Sequence, residues 1–278
     1  MRNPSLRGYH VVYDESIQDA LEYAYRNDWT VIVPDLSVPT FFPNQFSESS
    51  RRKLKEFSKD LSVEISLHAP GDDISLFTAY PSIRNAIIQH LKEIIQFARD
   101  ISFGPTNVVV HTGRPPSFRL SGEKSGTFVK HWHDFYVNTL RDNLWDLMEF
   151  GGTDVSIVLE NHLWTSLVHE VIDELVPRGL QLCLDIPKMF FPETNASDLD
   201  VFSRHKDAIS VIHVHDQDEV TGSHQVVGEG TVNFEPAIRF LSNLSRKAVY
   251  VFEVRPRERA HESLERFSQM LSKYNVFL

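Results

Sequence analysis

Eight short apolar runs, each followed by a longer stretch of helical periodicity, constrain this chain more than any other feature. The runs are Gly8–Tyr13, Thr30–Pro34, Val63–His68, Asn107–His111, Val155–Glu160, Gln181–Asp185, Ile209–His213 and Ala248–Glu253. Most are continuous rather than alternating, the pattern of parallel strands buried on both faces. Helical patterns fill Ser16–Asn27, Ser47–Asp60, Arg84–Ile101, Phe128–Phe150, Ser166–Leu175, Asn195–His205, Phe234–Asn243 and Glu258–Tyr274. In the third, Ile87, Ile88, Leu91, Ile94, Ile95 and Ala98 form one apolar stripe at i, i+3, i+4, i+7 spacing. Length alone equally admits two smaller domains. Eight strand–helix pairs with no linker between them instead predict an α/β fold: a single (β/α)8 TIM barrel spanning residues 1–278.

Three long loops, Val38–Gln45, His111–Thr127 and Asp216–Asn233, all follow a strand. They therefore belong to the barrel face that carries active sites. What ends each strand is more telling. The third closes in Ser66-Leu67-His68, the fourth in Val110-His111 and the fifth in Leu159-Glu160-Asn161-His162. The sixth closes in Leu184-Asp185, the seventh in His213-Val214-His215-Asp216 and the eighth in Phe252-Glu253, with His224 in the following loop of the seventh. One histidine or glutamate at a strand end is ordinarily a satisfied structural residue. Six strands that deliver such groups to one barrel mouth are different, because carboxylates crowded in a dry place repel one another. A divalent cation resolves the conflict. Mixed nitrogen and oxygen donors suit zinc, manganese, cobalt or iron rather than calcium. Cys183 sits two residues before Asp185 and reads as a small core residue.

Composition narrows the partners. The chain carries 38 acidic and 28 basic residues, a formal charge of −10, which argues against a nucleic acid gripped by its phosphates. No apolar run approaches the roughly 20 residues of a membrane span. The arginines of Met1–His10 precede no apolar stretch, so no signal peptide is expected there. A lone cysteine allows no internal disulfide and fits a reducing, cytoplasmic setting.

These strand ends resemble the xylose-isomerase-like barrels, a superfamily of sugar isomerases and ketose 3-epimerases that also holds endonucleases of the endonuclease IV type. The similarity runs from about Gly8 to Leu264 and is strongest between His68 and Glu253. It implies a four-ligand set of Glu160, Asp185, His213 and Glu253, with Glu160 and Glu253 doubling as an acid/base pair. The endonuclease branch implies two further ligands, matched by His68 and His111, and so a second metal beside one strong site. That branch also needs a histidine three residues after the sixth-strand aspartate, and an Asp-x-His in the following loop. Here Lys188 and Gly222-Ser223-His224 stand in those places.

The function this implies is metal-dependent isomerisation or epimerisation of a small sugar, sugar phosphate or related hydroxy-carbonyl compound. An endonuclease-like phosphodiesterase, a dehydratase and a barrel that binds without turnover are the alternatives. Arg114, Lys188 and Arg255 are expected on the rim, where they either neutralise the mouth or receive an anionic substrate group. Lys188 is the one suited to an enediolate oxygen, and His215 and His224 are expected to touch substrate. Trp164 is a candidate pocket wall. Phe41-Phe42-Pro43 is a candidate wall or contact in a homo-oligomer, and the run from Lys130 to His133 a surface or lid element. Gly228-Glu229-Gly230 reads as a turn.

Overall fold

The computed structural model describes residues 6–71, 74–114, 132–190, 195–244 and 247–278. All eight expected strands are present. They are β1 (Leu6–Val11), β2 (Val31–Pro34), a third strand in two segments, β3 (Glu64–Ile65) and β4 (Leu67–His68), then β5 (Thr106–Val110), β6 (Val155–Glu160), β7 (Gln181–Asp185), β8 (Ile209–Val214) and β11 (Val249–Phe252). Every neighbouring pair is parallel. The ring closes on the third strand. Its first half pairs with β2 and its second with β5, and Leu36 N–H donates to His68 O at 2.9 Å to carry the ladder past the break.

Among the described residues eight α-helices alternate with the strands: α1 (Ile17–Arg26), α2 (Glu48–Leu61), α3 (Pro81–Ile101), α4 (His133–Gly151), α5 (Ser166–Leu175), α6 (Asn195–Arg204), α7 (Phe234–Leu241) and α8 (Glu258–Ser272). Their starts follow local chemistry. Ser16, Ser47 and Asn233 cap α1, α2 and α7 by accepting an N–H of the first turn, and Pro81 opens α3 where no N–H partner is needed. Of the expected stripe of α3, Ile88, Leu91, Ile94, Ile95 and Ala98 are buried, and Ile87 is half-buried against the core. The beginning of the helix expected from Phe128, and Lys130 with it, lie outside the described residues.

Strand alternation sorts the side chains into two sets. Tyr9, Ile32, Leu67, Val108, Leu159, Leu184, Ile212 and Phe252 face the helices and belong to the large core. Val31, Val33, Val109, Val158, Cys183, Val211, Val249 and Val251 form a separate cluster that fills the barrel interior. Each fully buried valine contributes on the order of 1.5–3 kcal/mol, so this plug is a rigid floor. Cys183 is part of it, the small core residue that the sequence suggested.

One expectation needs correction. The stretch Asp216–Asn233, read as a plain loop, contains an antiparallel hairpin of β9 (Asp216–Asp218) and β10 (Gly222–Gln225). Asp216 organises it, accepting from Gln217 N and Val232 N on Oδ1 and from Gly228 N on Oδ2. That hairpin delivers His224 to the mouth.

Candidate metal centre

Two residues above the valine floor, the same alternation places polar groups. His111 follows Val109, Glu160 follows Val158, Asp185 follows Cys183, His213 follows Val211 and Glu253 follows Val251. Glu160, Asp185 and His213 are fully buried, and Glu253 is 3% exposed. Strand register sets their spacing, with Glu160 opposite Cys183 and Asp185 opposite His213. The fully buried Asn161 clamps two strand ends: its Nδ2 donates to Asp185 O at 3.1 Å and its Oδ1 accepts from Asp185 N at 2.6 Å.

His213 stands at the centre. Its Nδ1 is 3.3 Å from Glu160 Oε2 and 3.3 Å from Glu253 Oε1, and neither ring nitrogen makes a hydrogen bond. Donor atoms of Asp185, His213 and Glu253 lie within 4.8 Å of one another, as do those of His68, Glu160 and His213. A fully buried imidazole facing two carboxylates without a hydrogen bond is costly in a metal-free core. As a ligand set it is satisfied by one cation, so the residues fit a divalent ion.

Glu160 Oε2 is also 3.2 Å from His68 Nε2, a hydrogen bond, and 3.2 Å from His111 Nε2, which makes none. The His68 ring is oriented by Nδ1, 3.0 Å from Ala69 O, the arrangement that aims Nε2 into the site. His111 stacks on His162 with centroids 4.5 Å apart, and Gly71 makes room for it, since a Cβ there would overlap the imidazole. Lys188 Nζ reaches the other Glu160 oxygen and lies 2.8 Å from Asp185 Oδ2.

Electrostatics follow from these contacts. Burial opposes ionisation of Glu160, yet Lys188, His111 and His213 hold its pKa well below the ordinary value. Burial is likewise overcome at Glu253 by His213, His10 and His224, and at Asp185, held at about 2, by Lys188 and His215. Burial disfavours a charged His68, but its hydrogen bond to Glu160 raises it to about 9. Burial takes His10 and His162 down to about 4.

Of the expected substrate contacts, His215 and His224 reach the mouth, with Nε2 atoms 3.9 and 3.7 Å from Glu253 Oε2. Arg255 is half-buried on its rim, with the guanidinium over the Tyr13 ring at 5.9 Å. Arg114 is exposed and lines a different recess with Phe77, Tyr80 and Phe135. Trp164 is 3% exposed and stacks on Phe202 at 5.1 Å, inside the strand–helix core. Phe41 is fully buried in that same core, while His133 pairs with Glu170 on the surface. The sequence reading missed His10 and Asp35, which join the mouth at 3.5 Å from each other. Both follow an inner-layer residue by two, Gly8 and Val33, the spacing that marks Glu160. Sequence reasoning also assigns no role to His162, which lies beside His111 and Glu160.

The chain belongs to the xylose isomerase-like TIM barrel family, whose sequence pattern matches residues 19–270. An uncharacterized protein of Methanocaldococcus jannaschii is 25% identical over 186 residues, 64% of this chain and 66% of that protein. Among solved structures, a D-tagatose 3-epimerase-like protein superposes with a TM-score of 0.72 at 19% identity, covering 97% of this chain and 98% of its own. The zinc-bound IolI protein gives 0.69 at 14% identity, with coverages of 97% and 99%. Among the described residues no helix is long and apolar enough to cross a membrane.

Proposed function

We propose that this protein is a divalent-metal-dependent isomerase or epimerase of a small sugar, sugar phosphate or related hydroxy-carbonyl compound. The observation that carries the reading is the convergence of Glu160 and Glu253 on Nδ1 of an unbonded, buried His213, with Asp185 beside them. Glu160, Asp185, His213 and Glu253 would hold one strong ion, of zinc, manganese, cobalt or iron by donor type. His68 and His111, at Glu160 Oε2, supply donors for a second, weaker one. When bound, the ion polarises a carbonyl and its neighbouring hydroxyl. A D-tagatose 3-epimerase-like protein and zinc-bound IolI share this fold, which supports the substrate class and the metal.

The proton chemistry falls to this chain's own groups. Glu160 and Glu253, both held ionised, reach the same His213 Nδ1 from different strands, which makes them the two bases available to a substrate bound there. One takes the proton beside the carbonyl. The other returns a proton to the opposite face, drawing on His215, where burial works against charge but Asp185 raises the pKa. The Lys188 ammonium, between Glu160 and Asp185, stabilises the enediolate oxygen.

The grouping of His68 and His111 at Glu160 favours one competing reading, a metal-dependent phosphodiesterase. Lys188 in place of a further ligand and the −10 charge weigh against it. The test is hydrogen exchange from D2O into a panel of ketoses and ketose phosphates by metal-loaded protein, followed by NMR. Exchange abolished by Glu160→Gln is expected. Absence of exchange across the panel, with Glu160-dependent incision of abasic-site DNA, would reverse the ranking.

A further inference from the structure

The last and first strands of the ring, β11 and β1, pair side by side, so the loops that follow them stand together on the rim. Between these loops lies a rim cavity of about 390 Å³, lined by His10, Tyr13, Asp14, Glu15, Arg255 and Arg257. Small-molecule sites occupy roughly 300–1,000 Å³, so this recess has room for more than one phosphate or carboxylate group. Its walls are braced from within. Arg257 pairs with Asp14 and, at 2.7 Å, with Asp19, and its guanidinium lies 4.2 Å over the Tyr23 ring. Tyr9 Oη donates to Asp14 Oδ1 at 2.9 Å. These contacts join the two loops before any ligand arrives, which lowers the ordering cost of binding.

His10 connects the cavity to the mouth. It is 5% exposed, and its Nε2 lies 3.5 Å from Asp35 Oδ2 and 3.9 Å from Glu253 Oε1, yet neither ring nitrogen makes a hydrogen bond. Arg255 Nε, on the opposite loop, is also buried without a partner. Such atoms are rare in folded chains and mark places where a ligand or water completes the bonding.

Charge sorts the candidate ligands. Asp14, Asp19 and Glu258 already meet Arg257, which leaves Arg255 as donor and Glu15 as acceptor for a newcomer. An anionic group alone satisfies Arg255 but brings Glu15 no donor. A hydrocarbon group strands both. Hydroxyl groups donate and accept at once and so suit the pair. Tyr13, 75% exposed, adds a ring whose negative face attracts the C–H side of a sugar.

We infer that the substrate is a glycosylated sugar: its reacting unit occupies the mouth, and a second sugar unit fills the rim cavity. The second unit shares its hydroxyls between Arg255 and Glu15 and lies against Tyr13. His10 meets the substrate where the two units join. The inference rests on the reading of the mouth as a sugar site, and its test separates the two.

Metal-loaded protein is titrated by calorimetry with D-fructose and with lactulose, leucrose and isomaltulose, disaccharides that carry a second hexose on fructose away from its carbonyl. At least one disaccharide should bind roughly tenfold more tightly than fructose, as two further hydrogen bonds imply. Tyr13→Ala and, independently, Glu15→Gln should each remove several-fold of that gain and leave fructose unchanged. Both side chains are exposed, so the variants keep the fold. Disaccharides that bind no better than fructose, or a gain that either variant retains in full, overturn the subsite. A gain lost in both variants, with no hydrogen exchange from D2O into any of these sugars, leaves the subsite standing while the proposed reaction falls.

Discussion

The Lys188 ammonium lies 2.8 Å from Asp185 Oδ2, and the backbone N–H of the same lysine donates to Asp185 Oδ1 at 3.1 Å. One residue thus holds both oxygens of a fully buried carboxylate, while its Nζ also contacts Glu160. Removing a partner from a buried charge group typically costs about 3–5 kcal/mol, because the remaining charges stay desolvated. Lys188→Met should therefore destabilise metal-free protein by about that amount in urea unfolding. Saturating Zn²⁺ should recover most of the loss, since the ion replaces the missing charge. Equal stability of variant and wild type without metal would show that water reaches these carboxylates.

The pH dependence of metal-free stability has two limbs. His68, raised from 6.5 to about 9, is protonated in the fold at neutral pH. Its contribution is complete below pH 6.5 and is lost as pH rises through about 9. His10 and His162, lowered to about 4, behave oppositely: the unfolded chain binds more protons between pH 4 and 6.5, so stability falls on acidification through that window. Each histidine accounts for roughly 3 kcal/mol at most. Urea titrations across pH should show His68→Gln flattening the alkaline limb and His162→Gln the acid one. A His68→Gln curve parallel to wild type above pH 6.5 would mean that His68 is neutral in the fold.

Trp164 follows Glu160 by four residues, yet its ring stacks on Phe202 and meets His169 edge-on rather than facing the mouth. Trp164→Ala should cost about 3–5 kcal/mol of stability. The exchange rate per folded molecule should stay within about twofold of wild type. A large change in KM with unchanged stability would return Trp164 to the pocket wall.

The barrel was legible because its strands are buried on both faces and so read as unbroken apolar runs, as in Val155–Glu160 and Gln181–Asp185. The mouth was legible for the same reason: a histidine or carboxylate terminating such a run stands out, as Glu160 and Asp185 do. His10 escaped because its run was read on to Tyr13, which made it an internal residue, whereas β1 ends at Val11. Asp35 lies one residue beyond β2 and was cut off with the strand. The hairpin was invisible because Asp216–Asp218 and Gly222–Gln225 are polar and carry no hydrophobic period. Trp164 shows the limit of spacing arguments, since nearness to Glu160 in sequence says nothing about which side of the strand end a ring takes.

Preference for an anionic substrate now turns on a single arginine. The sequence set Arg114, Lys188 and Arg255 on the rim as equals, but the fold separates them. Lys188 is engaged with Glu160 and Asp185, and Arg114 is exposed beside Phe77 and Phe135 in another recess. Arg255 is half-buried at the mouth, its Nε makes no hydrogen bond, and it lines the rim cavity with His10, Asp14 and Arg257. Arg257 is already paired with Asp14 and Asp19. A phosphate or carboxylate on the substrate would therefore meet the Arg255 fork, and losing one charge-assisted contact costs on the order of 1.5–3 kcal/mol. Calorimetry with matched neutral and phosphorylated ketoses should show the phosphorylated sugar binding more tightly to wild type. Arg255→Met should remove roughly ten- to a hundredfold of that preference, and Arg114→Met should leave it intact. Equal affinities for the two sugars in wild type would mean that Arg255 serves the carboxylates of the mouth and that the substrate is neutral.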